Sequence, residues 1–145
     1  MGAYVGLPSL VLNAFACELY LKTLILLEGN KPIPTHNLKK LFKALRGKTQ
    51  KELEQGWLSD IPTQHMIAEF SKATGDALPT DLRSALESGG TAFQYLRYAH
   101  QTDLSQTKFF LGNLPRLLRQ VIHRRKPEWV NLGPSYGPLP VSQAP

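Results

Sequence analysis

LVLNAFACELYLKTLILLEGNKPIPTHNLKKLFKALR, residues Leu10 to Arg46, decides the fold class. Leu10, Ala14, Cys17, Leu21 and Leu24 recur at helical spacing, and neither Gly nor Pro falls between Ser9 and Glu28. One helix is expected there, with Ser9 as its N-cap and Gly29 as its end, where a positive φ is cheapest. Val11, Phe15, Leu19, Ile25 and Leu26 widen its apolar face beyond what a surface helix needs and leave Glu18 and Lys22 as the polar side. It is therefore expected to be the central, best-buried helix, with Glu18 and Lys22 as a solvated pair one turn apart. The prolines of NKPIPTH (30–36) stiffen the turn that follows. Thr35 then caps a second helix with Leu38, Leu41, Phe42 and Leu45 in one stripe, closed by Gly47.

The remainder of the chain repeats the pattern. Thr49 and Glu52 have the spacing of a capping box in front of Leu53 and Trp57. Asp60-Ile-Pro62-Thr starts another helix with Met66, Ile67 and Phe70 on one face and Gly75 as its stop. Pro79 and Thr80 start LRSALE, Gly89-Gly90 interrupts it, and Thr91 caps TAFQYLRYAHQ. From Phe110 to Ile122 the helical period passes straight through Gly112 and Pro115. Two readings follow: a long helix kinked at Pro115, or a loop at Gly112-Asn113 and a new helix with Pro115 in its first turn. Pro127 to Pro145 holds five prolines and no helical period, so residues 127–145 are expected to form an extended or disordered tail on a 1–126 helical domain. The fold class is all-α, an up-and-down bundle of four main helices with short extra ones.

The length of 145 residues fits one domain, and 42% hydrophobic with 19% charged residues is ordinary for a globular chain. The net charge of +6 favours a polyanionic partner such as RNA, a nucleotide or an acidic protein. A single cysteine excludes an intramolecular disulfide and leaves too few thiolates for a structural zinc site, so the expected location is cytoplasmic. Cys17 itself, on the apolar side of the first helix, reads as an inert buried thiol. MGAYVG lacks the basic start of a secretory signal, Gly6 stands where a myristoylation motif takes Ser or Thr, and Glu18 and Lys22 interrupt the longest apolar run. Export, lipid anchoring and a membrane span are not expected. There is no Gly-rich phosphate loop, G-x-S-x-G elbow or H-E-x-x-H helix, which removes the common NTPase, hydrolase and metalloprotease readings; no cofactor or metal is expected.

His36 beside Thr35 reads as part of a helix start, and nothing pairs His65 with another catalytic residue type. His100 follows Arg97 by three residues and shares its face, while His123 follows Arg119 by four and Arg116 by seven. Seven residues return to the same side of a helix about 10.5 Å along its axis, so Arg116 and His123 line one groove with Arg119 and Arg124 nearby. A neutral His can take the proton of a ribose 2′-hydroxyl while Arg binds the phosphate in fork geometry, which is metal-free RNA cleavage. The plainer reading of Arg116, Arg119, Arg124, Arg125 and Lys126 is a solvated, cation-rich helix end.

NAFACELYLKTLILLEG (13–29) followed by THNLKKLFKAL (35–45) resembles the start of a HEPN domain, an all-α module of bacterial conflict systems and RNA metabolism. AFQYLRYAH (92–100) is similar to the aromatic-Arg-Tyr segment of that family's third long helix, so the resemblance anchors most of the region from Leu10 to about Lys126. The family's ribonucleases share an Arg, four to six residues and then a His on the last long helix; here Arg116 and His123 enclose LLRQVI. The resemblance thus implies Arg116 and His123 as catalytic residues, with Arg119, Arg124, Arg97 and His100 in binding roles. His100 stands where the family usually has an acidic residue after the Arg-Tyr pair, which leaves Glu18 as the alternative partner of Arg97. The resemblance also implies a homodimer with the two last helices facing each other, and a nucleotidyltransferase-like antitoxin as partner. Two function classes follow from it: a metal-independent endoribonuclease of the toxin or defence kind acting on single-stranded RNA, and a non-catalytic module that binds a nucleotide, RNA or a protein.

Overall fold

Leucines, alanines and straight-chain residues dominate the first 28 positions, and the chain answers with one long helix, α1 (Ala3–Leu27). The computed structural model describes residues 3–75, 77–89 and 111–132, and for residues 3–10, 89, 131 and 132 it describes the backbone alone. After α1 come α2 (Leu38–Lys43), α3 (Gly47–Ser59), α4 (Ile61–Thr74), α5 (Leu82–Gly89), α6 (Leu114–Arg125) and a 3-10 turn (Pro127–Leu132). Among the described residues there is no strand, so the fold is all-α. None of the described helices is long and apolar enough to cross a membrane.

The start of α1 departs from the expected N-cap at Ser9. The helix begins at Ala3 and runs through Pro8, which lies just past the first turn and has no N–H to give the Tyr4 carbonyl, so one intrahelical bond is lost near the helix start. Its end is as expected: Gly29 takes φ 84, its N–H donates to the Leu26 carbonyl, and the Asn30 N–H donates to the Ile25 carbonyl. That pair of bonds is a Schellman motif. Burial, however, is one-sided. Ala14, Cys17, Leu21, Leu24 and Ile25 lie in the core, whereas Leu12, Phe15, Leu19 and Leu26 are exposed.

Caps explain most of the other boundaries. Asn37, not Thr35, caps α2: its Oδ1 accepts from the Lys40 N–H at 3.1 Å, and the Thr35 hydroxyl oxygen accepts from the Asn37 N–H one step upstream. Gly47 does not close α2 but is the first residue of α3, after an extended Arg46. The expected capping box at Thr49 and Glu52 is not formed, because Thr49 is turned inward and fully buried. The α4 helix starts at Asp60 with Pro62 in its first turn and stops at Gly75 with φ 73, both as expected. Its inward side is Thr63 and Ile67; Met66 and Phe70 face outward, against the expected stripe. Asp81 rather than Thr80 begins α5, accepting from the Ser84 N–H at 2.9 Å.

Gly112 has φ 46 and α6 begins at Leu114 with Pro115 in its first turn, so the second of the two readings of this stretch holds. The start of the Pro-rich tail also differs from expectation, since residues 127–132 close into a 3-10 turn whose Trp129 N–H donates to the Lys126 carbonyl. The helix expected at AFQYLRYAH and the tail beyond residue 132 lie outside the described residues. In the core, α1 packs along α6 and α2, and α3 packs on α4, α5 and α6. Trp57 is fully buried on the inner side of α3's last turn, and its indole N–H donates to the Thr80 carbonyl at 2.9 Å.

Candidate functional site

The helical period of α6 sorts its basic run into roles. Leu114, Leu118, Val121 and Ile122 are buried, and at about 100° per residue Arg125 falls on the same side. Arg116 and Arg119 are exposed and His123 is half-buried on the opposite side. Arg124 lies between the two sides and pairs with Glu52 of α3 at 2.7 Å. So the structure keeps Arg116, Arg119 and His123 together, while Arg124 is drawn toward α3. Arg97 and His100 lie outside the described residues.

Arg116 also acts on the junction of α4 and α6. The Asp60 carboxylate caps α4 through the Thr63 N–H, accepts from the Thr63 hydroxyl at 2.5 Å and accepts from the Asn113 side-chain amide at 2.9 Å. The Thr63 hydroxyl bond leads in holding its pKa below the usual carboxylate value; burial opposes it, and Asn113, the Thr63 N–H and the Arg116 charge assist. Both helix starts are locked by one anion.

On its inner side α6 delivers Arg125 to a polar knot that sequence reasoning missed. The Glu28 carboxylate, 3% exposed, accepts from the Arg46 N–H at 2.8 Å, from the Thr49 hydroxyl at 2.7 Å and from the Arg125 guanidinium at 3.3 Å. Arg125 donates a second time, to the Thr49 hydroxyl oxygen at 2.6 Å, so that hydroxyl is both donor and acceptor. Burial by itself raises the carboxyl pKa of Glu28, but Thr49, Arg46 and Arg125 together outweigh it and hold the pKa below its ordinary value. A buried carboxylate with three donors is a satisfied anion, which is the condition for tolerating such a charge inside a bundle.

A second cluster joins α1 to the turn before α2. Glu18 Oε1 accepts from Lys22 Nζ at 2.8 Å and lies 2.9 Å from His36 Nδ1. The Glu18 side chain is only 4% exposed, and its Oε2 has no hydrogen-bond partner among the described residues. The solvated Glu18–Lys22 pair expected from sequence is therefore a buried carboxylate that anchors an exposed imidazole, because the 30–37 turn folds back over α1. The i,i+4 spacing of Glu18 and Lys22 was the one local signal; the approach of His36 across eighteen residues left none.

Among the described residues no group of three or more His, Cys, Asp and Glu side chains is arranged to hold a metal ion. Cys17 is fully buried, and burial pushes its thiol pKa up to about 12, which removes it as a nucleophile. No family model matches the chain, and no curated protein or solved structure matches it.

Proposed function

We propose that this protein is a HEPN-like, RNA-directed protein of the cytoplasm, built on an up-and-down bundle of four main helices, that binds single-stranded RNA on the outer side of α6 and cleaves it without a metal. The observation that carries the reading is the sorting of α6: Arg116, Arg119 and His123 share its outer side while Arg125 is committed to Glu28. Arg116 and Arg119 make no ion pair with a described residue, and positive charge so exposed on one helix face suits a phosphate backbone. In this reading His123 takes the proton of a ribose 2′-hydroxyl, and Arg116 binds the phosphate as negative charge builds on it. A homodimer with two α6 helices facing each other across a two-fold axis brings two copies of Arg116, Arg119 and His123 into one cleft. A nucleotidyltransferase-like antitoxin is the protein partner that the resemblance of residues 13–45 and 92–100 suggests.

The test is cleavage of a labelled single-stranded RNA by purified protein. The wild type cleaves, EDTA leaves the rate unchanged, His123→Ala abolishes turnover with fold and dimer intact, and Arg116→Ala loses both turnover and binding. Light scattering at micromolar concentration reads twice the chain mass. Cleavage that survives His123→Ala excludes the site. An inactive wild type whose RNA binding weakens with salt, and weakens further without Arg116 or Arg119, identifies the non-catalytic module instead.

A further inference from the structure

The Glu28 knot forms the floor of a cleft of about 670 Å³ where the end of α1, the start of α3 and the end of α6 meet. That volume lies within the roughly 300 to 1,000 Å³ of ordinary small-ligand sites. Lys48, Lys51, Glu52 and Gln55 share one side of α3 and form one wall; Arg46 and Leu27 contribute to the others. Four cationic side chains, Arg46, Lys48, Lys51 and Arg125, face two carboxylates, Glu28 and Glu52. The cleft therefore carries two positive charges in excess.

Which charges are committed decides what the cleft can take. Glu28 is saturated by three donors, and Glu52 is held by Arg124 at 2.7 Å and Arg125 at 3.7 Å. Neither acid is left to neutralise the rim. Arg46 spends one N–H on the carbonyl of Glu28, an uncharged partner, at 3.1 Å. Lys48 and Lys51 are exposed and make neither a hydrogen bond nor an ion pair with any described residue. At Gly47, between Arg46 and Lys48, an added Cβ would meet nothing within 4 Å, so the backbone there is open to close approach.

We infer that this cleft binds a phosphomonoester, its phosphate held by Arg46, Lys48 and Lys51 and its sugar laid toward Leu27. A phosphomonoester is close to a dianion at neutral pH, a charge that Arg46, Lys48 and Lys51 can balance, and its oxygens suit both the fork of Arg46 and the lysine ammoniums. The same chemistry is offered by a nucleoside monophosphate and by the 5′-phosphate end of an RNA chain. The site is separate from the outer side of α6, since α6 contributes only its inward Arg125 to the lining together with α1 and α3.

Titration calorimetry on the full chain tests the inference with adenosine 5′-monophosphate, adenosine, and a short RNA oligomer with and without a 5′-phosphate. The monophosphate should bind at least about tenfold more tightly than adenosine, and Lys48→Glu combined with Lys51→Glu should weaken it by at least about tenfold. Both lysines are exposed, so circular dichroism of the variant should match the wild type. Lys72→Glu, at an exposed position of α4 outside the cleft lining and off α6, should leave the affinity for the monophosphate unchanged, which separates this site from a general loss of positive charge. An oligomer that gains at least about tenfold in affinity from its 5′-phosphate names the RNA end as the source; one whose affinity its 5′-phosphate leaves unchanged, while the monophosphate binds, names the free nucleotide. Equal affinity for adenosine and its monophosphate, wild-type affinity in the charge-reversed variant, or no binding of any phosphorylated probe overturns the site.

Discussion

Glu28→Gln keeps the shape of the side chain at the centre of the α1, α3 and α6 junction and removes only its charge. The carboxylate accepts at 2.8 Å from the Arg46 N–H, at 2.7 Å from the Thr49 hydroxyl and at 3.3 Å from Arg125. The amide retains one acceptor oxygen, which can stand in for either Oε1 or Oε2 but not both, and presents an NH₂ to the Arg46 N–H or to Thr49 and Arg125 where the second oxygen stood. If the NH₂ faces Thr49, that hydroxyl, whose oxygen already accepts from Arg125 at 2.6 Å, can accept a second time but loses the acceptor for its own O–H. Hydrogen bonds to a charged group contribute about 1.5 to 3 kcal/mol each, so losing one and weakening another should cost about 2 to 4 kcal/mol at pH 7. With the side chain 3% exposed, solvent offers little compensation.

The pH dependence adds a second readout to that prediction. The folded-state pKa of Glu28 is below its ordinary value of 4.5, so its stabilisation is present above that value and is lost as pH falls through the lower folded pKa. Urea unfolding followed by circular dichroism should therefore show a gap between wild type and Glu28→Gln at pH 7 that narrows as the pH falls below about 4.5. A gap within ±0.5 kcal/mol at pH 7, or one that stays constant into acid, would refute the view of Glu28 as the ionised hub.

Leu21→Ala removes a side chain 1% exposed and should cost about 2 to 5 kcal/mol, whereas Leu26→Ala, at 59% exposure on the same helix, should stay within about 0.5 kcal/mol; equal losses in urea melts would show that α1 is not one-sided. The Cys17 thiol, pushed up to about 12 inside the core, should react with an aromatic disulfide reagent only as fast as the protein opens, and labelling that precedes unfolding would contradict its burial.

What the sequence determined by itself was local. Helical class, the end of α1 at Gly29, and both ends of α4 followed from interactions that span no more than five residues: an Asp60 oxygen reaching the Thr63 N–H, or glycines taking φ 84 and φ 73. Capping misled at Ser9, which lies inside α1; it misled too where two short polar residues competed, as with Thr35 and Asn37, and where a third element intervened. Thr49 is the clearest case of the latter. Its spacing to Glu52 satisfies a capping box, yet Glu28, twenty-one residues upstream, claims its hydroxyl.

The stripe Ala14, Cys17, Leu21 and Leu24 of α1 was legible in sequence and is buried, but that Leu12, Phe15, Leu19 and Leu26 stay outside while Glu18 is buried was decided only by where α2 and α6 pack. Tertiary structure also decided the fate of the basic residues. Arg116 and Arg119 remain outside and Arg125 turns in: the period of α6 puts Arg125 on the apolar side, but only the fold brings it a carboxylate from 97 residues away. Glu18 and His36 meet for the same reason, across a turn whose path is set by packing. A charge's value depends on its burial and its partners, and both exist only once the helices have met.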